Sequence, residues 1–510
     1  MLFLASKILE HEVYEETRLL LLKKLQEENW TPLIRSTRLG CYEQALLSSH
    51  HVGEMERAIA VTTSLEDHAA YVRGDIFCFD DHVFFLTFGD RESAFRGIRA
   101  GIIYEPQTTE PLRKLDTFCQ KVGECLATVT SKTGVGSEAG NEAGLQTLSK
   151  WKPWHPSAER GFARFVARQD VDVLYTVVRK ETARERVRAA QLLESAYTRS
   201  FLRRARIAYA EGYAARLLAE GESAPADFSI NKLVEVGLLR REVLVSCRET
   251  GHALLGLPSS DALAVITVSD ATCSECGASI ANEKVEEVVA PTHLASALLD
   301  DAAWLVNRFH SILRNLGIPE SEIAIEPPAG DGEAYMMSNV CGEPFLFVLR
   351  DGDLTPTFAR RAIDRQIETE TNHLVIVATG TIHNEGRTHL LNYANRLARA
   401  GREFNLMLLD GAGASASELK SAFERVSQKV MSEQLCELDA SLGFSATRLI
   451  TARFELLHKP EDNAPLALLP ATAATAAAPS ASSLPSDEHA LPLIELTFPE
   501  MKDETEAASR

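Results

Sequence analysis

A regular alternation of helical and strand patterns across residues 292–432 narrows the possible folds of this chain more than anything else in it. In residues 292–316, Leu298, Leu299, Ala302, Leu305, Val306, Phe309, Ile312 and Leu313 recur at helical spacing and Gly317 stops the run. Residues 322–326 (EIAIE) read as a strand. Residues 333–338 and 345–349 (FLFVL) read as a hairpin turning over 339–342. A helix over 355–369, a strand at 373–379 (HLVIVAT), a helix ending at Ala400, a strand at 404–409 and another helix follow. Unbroken apolar strands between amphipathic helices imply a sheet covered on both faces, which is an α/β architecture.

The remaining segments are less regular. With 510 residues, 45% of them hydrophobic, the chain has material for about three domains and several cores. Residues 1–130 suggest a mixed α/β domain, with a helix over 10–27 and two strands in 74–87 around Asp80 and Asp81. Residues 131–150 are Gly- and Ser-rich at their start and read as a linker. Residues 151–245 read as a helical basic region closing on a winged-helix-like helix–Gly237–strand unit. Residues 246–290 suggest a zinc-ribbon-like element, 291–440 the α/β module and 441–460 a closing strand or helix. Residues 461–510 read as a disordered acidic tail. Its acids, prolines and Ala/Thr/Ser run cannot bury enough apolar surface to offset the entropy of ordering. Within it, residues 491–498 (LPLIELTF) are either tail or a short docking segment for a protein partner.

Charge is unevenly spread. The net charge of −19 argues against a surface that coats nucleic acid throughout. Between Glu159 and Arg206, however, arginines cluster on helical faces around Leu192, Leu193, Tyr197, Phe201 and Leu202. Arg184, Arg188, Arg199, Arg203, Arg204 and Arg206 are candidate phosphate contacts, since a guanidinium fork donates two hydrogen bonds at once. The alternative is a solvated helix face balanced by acids elsewhere in the chain.

The nine cysteines are thinly spread, as suits free thiols in a reducing compartment. Cys273-Ser-Glu-Cys276-Gly277 has the form of a zinc knuckle, because two thiolates three residues apart can grip one ion. A ribbon needs a second pair. Cys247 supplies half of it, but position 250 is Thr. The expected zinc set is therefore Cys247, His252, Cys273 and Cys276, with a decayed, metal-free ribbon as the alternative. No apolar run reaches the roughly 18 residues of a membrane span, and no signal peptide is apparent, so a cytoplasmic protein with no membrane partner is expected.

The pattern LLxxxxWLxxxxxxxLxxxGI…DGExxxxxxxxGEPFLFVLRDGDLTPTFARRAI…HLVIVAT, in αβββαβ order, resembles the PD-(D/E)xK restriction-endonuclease-like superfamily. It is similar in texture to the restriction-like modules of prokaryotic DNA-processing and antiviral proteins. The resemblance implies an acid on the second strand and (D/E)xK on the third, holding Mg²⁺ with a lysine beside it. In this chain the third strand reads Val348-Leu349-Arg350-Asp351: the acid position is Val348, and Arg350 replaces the lysine and cannot act as a base. The resemblance therefore implies a degenerate module. If the module were active, Glu333, Arg350, Asp351 and Asp353, with Glu343 as a further candidate, would form a rearranged Mg²⁺ site. No GxSxG elbow, HExxH motif or phosphate-binding GK(S/T) loop is present.

Three functions follow. The first is a non-catalytic, nucleic-acid-associated subunit or sensor of a prokaryotic antiviral defence system. The second is an active Mg²⁺-dependent nuclease with a rearranged site. The third is an adaptor that recruits a partner enzyme through its acidic surface and tail.

Overall fold

The computed structural model describes residues 1–33, 73–89, 95–133, 151–154, 159–168, 183–210, 225, 228–269, 271–326, 332–413, 415–442 and 445–457. The tail at 461–510, including 491–498, and residues 134–150 of the expected linker lie outside them.

The chain opens with β1 (Phe3–Leu9) and α1 (Glu15–Glu27), followed by β2 (Gly74–Cys78), β3 (His82–Gly89), β4 (Gly97–Tyr104) and α2 (Pro111–Thr133). Next come β5 (Lys152–Pro153), α3 (Glu159–Ala167), α4 (Ala183–Leu192), α5 (Ala196–Ala210) and α6 (Ile230–Glu235). The middle contains β6 (Leu239–Ser246), β7 (Ala253–Leu257), α7 (Ser260–Val268) and β8 (Lys284–Pro291). The last part runs through α8 (His293–Leu299), α9 (Ala303–Asn315), β9 (Ile323–Ile325), β10 (Glu333–Val340), β11 (Glu343–Arg350) and α10 (Pro356–Thr369). It ends with β12 (His373–Ala378), α11 (Asn384–Arg399), β13 (Asn405–Asp410), α12 (Ser415–Leu442) and α13 (Ala446–Leu457). Among the described residues, no helix is long and apolar enough to cross a membrane.

These elements make a mixed α/β fold with three sheets, in the orders β2-β3-β4-β1-β5, β7-β6-β8 and β13-β12-β11-β10-β9. The third sheet is antiparallel from β9 to β11 and parallel from β11 to β13. The central strands β11 and β12 are apolar through their middles because each face has its own core. Phe345, Phe347 and Leu349 of β11, with Val375 and Val377 of β12, enter the main core beside α9 and α12. The intervening Leu346, Val348, Leu374 and Ile376 join a second core with Phe358, Ala359 and Ala362 of α10 and Leu390 of α11. Strand side chains alternate between faces, so a sheet buried on both sides requires this unbroken apolar sequence.

Three expectations change. The helix expected over 292–316 is two helices, broken at Asp301 and Ala302, which take left-handed φ values of 50° and 57°. Asp300 and Asp301 are poor helix-interior residues that compete for backbone hydrogen bonds, and the break sets Trp304 beneath the end of β11. Residues 131–133 belong to α2 rather than to a linker. Residues 152–153, expected to open a helical region, add a short edge strand to β1.

The expected boundaries between residues 1–130 and 291–440 fall inside one core. Met1–Leu457 is one compact unit. Its main apolar cluster takes Phe84, Phe85 and Ile102 from the first sheet and Phe345 and Phe347 from the third. The long α12 joins them. Phe423 packs on Phe345 with ring centroids 4.8 Å apart, Ser427 hydroxyl donates to the Leu2 carbonyl, and Arg99 of β4 reaches the Gln434 carbonyl at 3.4 Å. Phe423 is fully buried, so Phe423→Ala is expected to cost about 3–5 kcal/mol. Hydrogen exchange should show β3 and β12 losing protection together. A first sheet that keeps its full protection while β12 opens would disprove the shared core.

Candidate functional site

The residues singled out for chemistry gather at the end of the β10–β11 hairpin. Glu333 opens β10 and pairs in register with Arg350, the last residue of β11. Asp351 follows, held by its backbone N–H to the Gly332 carbonyl at 3.0 Å. The two acids sit close together at the open end of the hairpin, yet they do not converge. Glu333 and Arg350 are cross-strand partners and share a face, whereas Asp351, one residue on, turns to the other.

The partners bear this out. Glu333, 1% exposed, is ion-paired with Arg361 of α10 and with Arg350 at 3.3 Å. The Tyr335 hydroxyl donates to it at 3.2 Å. Burial and the adjacent Glu333 charge push that hydroxyl up to about 12, so it stays a donor. Asp351 instead faces α9 and α5. Trp304 Nε1 donates to it at 2.9 Å and Thr379 hydroxyl at 2.8 Å. Arg199 Nε lies 3.4 Å away, and Arg203 completes the set. Both carboxylates are neutralised by arginines on opposite sides of the sheet, leaving no shared position for a cation.

The other candidates lie elsewhere. Asp353 is exposed and accepts the Thr381 backbone N–H at 2.7 Å, which ties the loop after β11 to the loop after β12. Glu343 stands at the far end of β11, about 23 Å from Arg350 at the usual strand rise, and lies 3.7 Å from His373. Val348 is fully buried in the second core.

The arginine cluster is in part engaged within the molecule. Arg199 is 5% exposed and stacks over Trp304 at 4.8 Å. Its guanidinium donates to the carbonyls of Leu193 at 2.7 Å and Glu194 at 2.9 Å. Burial lowers its pKa and Asp351 acts against that. Arg206 bonds Asp300 at 2.6 Å, and Arg204 is half-buried. Of the expected phosphate contacts, Arg184 and Arg188 on α4 remain exposed. Exposed arginines outside the expected patch lie on α11 and the turn after it: Arg396 and Arg399 stand about 60° apart around the helix, Arg402 follows, and Arg387 lies on the opposite side from Arg396. Their signal in the sequence is a local excess of arginine over residues 387–402, which hold no acid.

The second grouping is at the cysteines. Sulfurs of Cys247, Cys273 and Cys276 and a carboxylate oxygen of Glu283 all lie within 4.8 Å of one another and can hold a metal ion. The expected fourth ligand, His252, does not join them. Its side chain is 71% exposed, with Nδ1 3.4 Å from Glu275. Hydrogen bonds from Thr250 lower the Cys247 thiol to about 7. For Cys276 the Ala278 amide acts downward, but Glu283, burial and the neighbouring sulfurs outweigh it and push the thiol up to about 12. No protein-family model matches the chain, and no curated protein or solved structure does either.

Asp351 has an anchoring geometry, and its removal has a definite consequence. Its side chain is 3% exposed, so Asp351→Ala would strand Arg199 in the core and should cost about 3–5 kcal/mol in urea unfolding. The exposed Asp353→Ala, which loses the hydrogen bond from Thr381, should cost only about 1 kcal/mol. Equal effects from the two substitutions would refute the anchor.

Proposed function

We propose that this chain is a non-catalytic, nucleic-acid-associated subunit or sensor of a prokaryotic antiviral defence system, built on a degenerate restriction-endonuclease-like module. The observation that carries the reading is the divergence of Glu333 and Asp351 to opposite faces of the third sheet, each closed by arginine. A two-carboxylate Mg²⁺ site needs both acids on one ion. The αβββαβ order of α9, β9, β10, β11, α10 and β12 supports the module. For nucleic acid, the exposed Arg184 and Arg188 are the contacts the reading retains, and the exposed Arg387, Arg396, Arg399 and Arg402 are added to them. Arg199 and Arg203 are reassigned to the buried Asp351, and Arg206 is paired with Asp300 at the surface. The adaptor reading gains from that reassignment, since less of the basic patch faces solvent. The reading also includes Zn²⁺ at the cysteine cluster, because converging thiolates select a soft, tetrahedral divalent ion, and a cytoplasmic location, where free thiols persist.

Two measurements test the proposal. Plasmid, single-stranded DNA and RNA incubated with the protein and Mg²⁺ or Mn²⁺ should remain intact. Cleavage that disappears in a Glu333→Gln/Asp351→Asn variant would overturn it. Binding of single- and double-stranded DNA should weaken steeply with salt. Replacing Arg396, Arg399 and Arg402 by Ala should reduce the slope of log affinity against log salt by about one for each phosphate-bound arginine removed. Absence of binding at low salt would leave the adaptor.

A further inference from the structure

Two turns in the middle of the chain are built alike. After β6, Gly251 N–H donates to the Cys247 carbonyl and Cys247 N–H to the His252 carbonyl, each at 2.8 Å. At the second turn, Gly277 N–H donates to the Cys273 carbonyl at 2.9 Å and Cys273 N–H to the Ala278 carbonyl at 2.7 Å. Gly251 and Gly277 take φ values of 76° and 71°, a left-handed conformation that glycine adopts without a Cβ clash. Matched residue by residue, Thr250 stands where the second turn has Cys276. The Thr250 backbone N–H lies 3.5 Å from Cys247 Sγ, an amide-to-sulfur contact of the kind that favours thiolate. His252 corresponds to Ala278, one residue past the glycine, where the side chain points away.

The missing ligand is supplied from a third direction. Glu283 precedes β8 and is 5% exposed. One carboxylate oxygen accepts the Arg248 backbone N–H at 2.5 Å, and the other lies 3.1 Å from Cys276 Sγ. The carboxylate is thus buried and aimed into the three sulfurs, held there by the Arg248 backbone amide and the Cys276 thiol. The surrounding layer's own apolar cluster has four buried residues, Val243, Val245, Leu257 and Ile280, with six half-buried ones packed on it, while the other end of β6 enters the main core through Leu239, so the end that carries the cysteines is the one a metal can staple.

We propose that one Zn²⁺ is held tetrahedrally by Cys247, Cys273, Cys276 and Glu283, and that this ion folds the segment from the end of β6 to the start of β8. The inference rests on the zinc reading above and adds its ligand set and its structural role. Binding requires three thiolates and a carboxylate. Any thiol protons are released to solvent, so affinity falls as pH is lowered.

The test uses the full chain. Zinc per chain is measured by mass spectrometry, affinity by competition with a chromophoric chelator, and thiolate ligation by the charge-transfer absorbance of Co²⁺-loaded protein. The expected result is about one zinc per chain in the unaltered protein and in His252→Ala. Glu283→Ala should weaken binding by at least about tenfold while keeping the three-thiolate Co²⁺ absorbance. Adding Thr250→Cys to Glu283→Ala should restore affinity and raise that absorbance by one further thiolate, which also shows that the variant folds. Chelation should speed trypsin cleavage after Arg248. Full affinity in Glu283→Ala, loss of metal in His252→Ala, or cleavage unaffected by chelation would overturn this inference while leaving zinc in place. No zinc in the unaltered protein would overturn the zinc reading itself.

Discussion

Successive side chains on a strand point to opposite faces, and at β11 that rule organises both the core and the candidate site. Phe345, Phe347 and Leu349 enter the main core, and Leu346 and Val348 enter the second. Continued past the strand end, the same alternation sends Arg350 to the Glu333 side and Asp351 to the side of Trp304. Packing and electrostatics are therefore one constraint. A register shift of one residue would expose Phe347 to the wrong layer and put both acids among the wrong partners.

Arginine is used here chiefly as an internal counter-ion. Arg361 and Arg350 close Glu333, Arg199 and Arg203 close Asp351, and Arg365 closes the buried Glu326. The pairs link α10 to β10 on one face and α5 to the end of β11 on the other. Such bridges add little net stability over apolar packing, but they are costly to break from one side. They set the position of α5 against the third sheet. Phe201 and Leu202, on the same helix, lie in the main core, so the helix is held both by its charged tips and by its apolar face.

How much was legible in the sequence varies by segment. The order of strands and helices in the third sheet could be read, because a sheet buried on both faces must be written in unbroken apolar strands. The break between α8 and α9 was written in Asp300-Asp301 but was overridden in the reading by the apolar periodicity on either side. The cysteine cluster was visible in part. Cys247, Cys273 and Cys276 follow from the knuckle spacing, whereas Glu283 follows no spacing rule, since a carboxylate from another strand is brought in only by the pairing of β8 with β6. His252 was the nearer residue in sequence, and the turn at Gly251 directs it outward.

Periodicity and local spacing act within a few residues of chain. For that reason the bare sequence specified the α/β class, the positions of the third sheet's strands and the three-thiol cluster. Which charges meet was left to the three-dimensional fold. Arg199 and Asp351 are 152 residues apart in sequence, and nothing local distinguishes an arginine that will lie against Trp304 from one that will face solvent. The sharing of one core by the N-terminal sheet and the C-terminal module is also a property of the fold, because α12 offers apolar residues to both, and an amphipathic pattern records that a face is buried without recording against what.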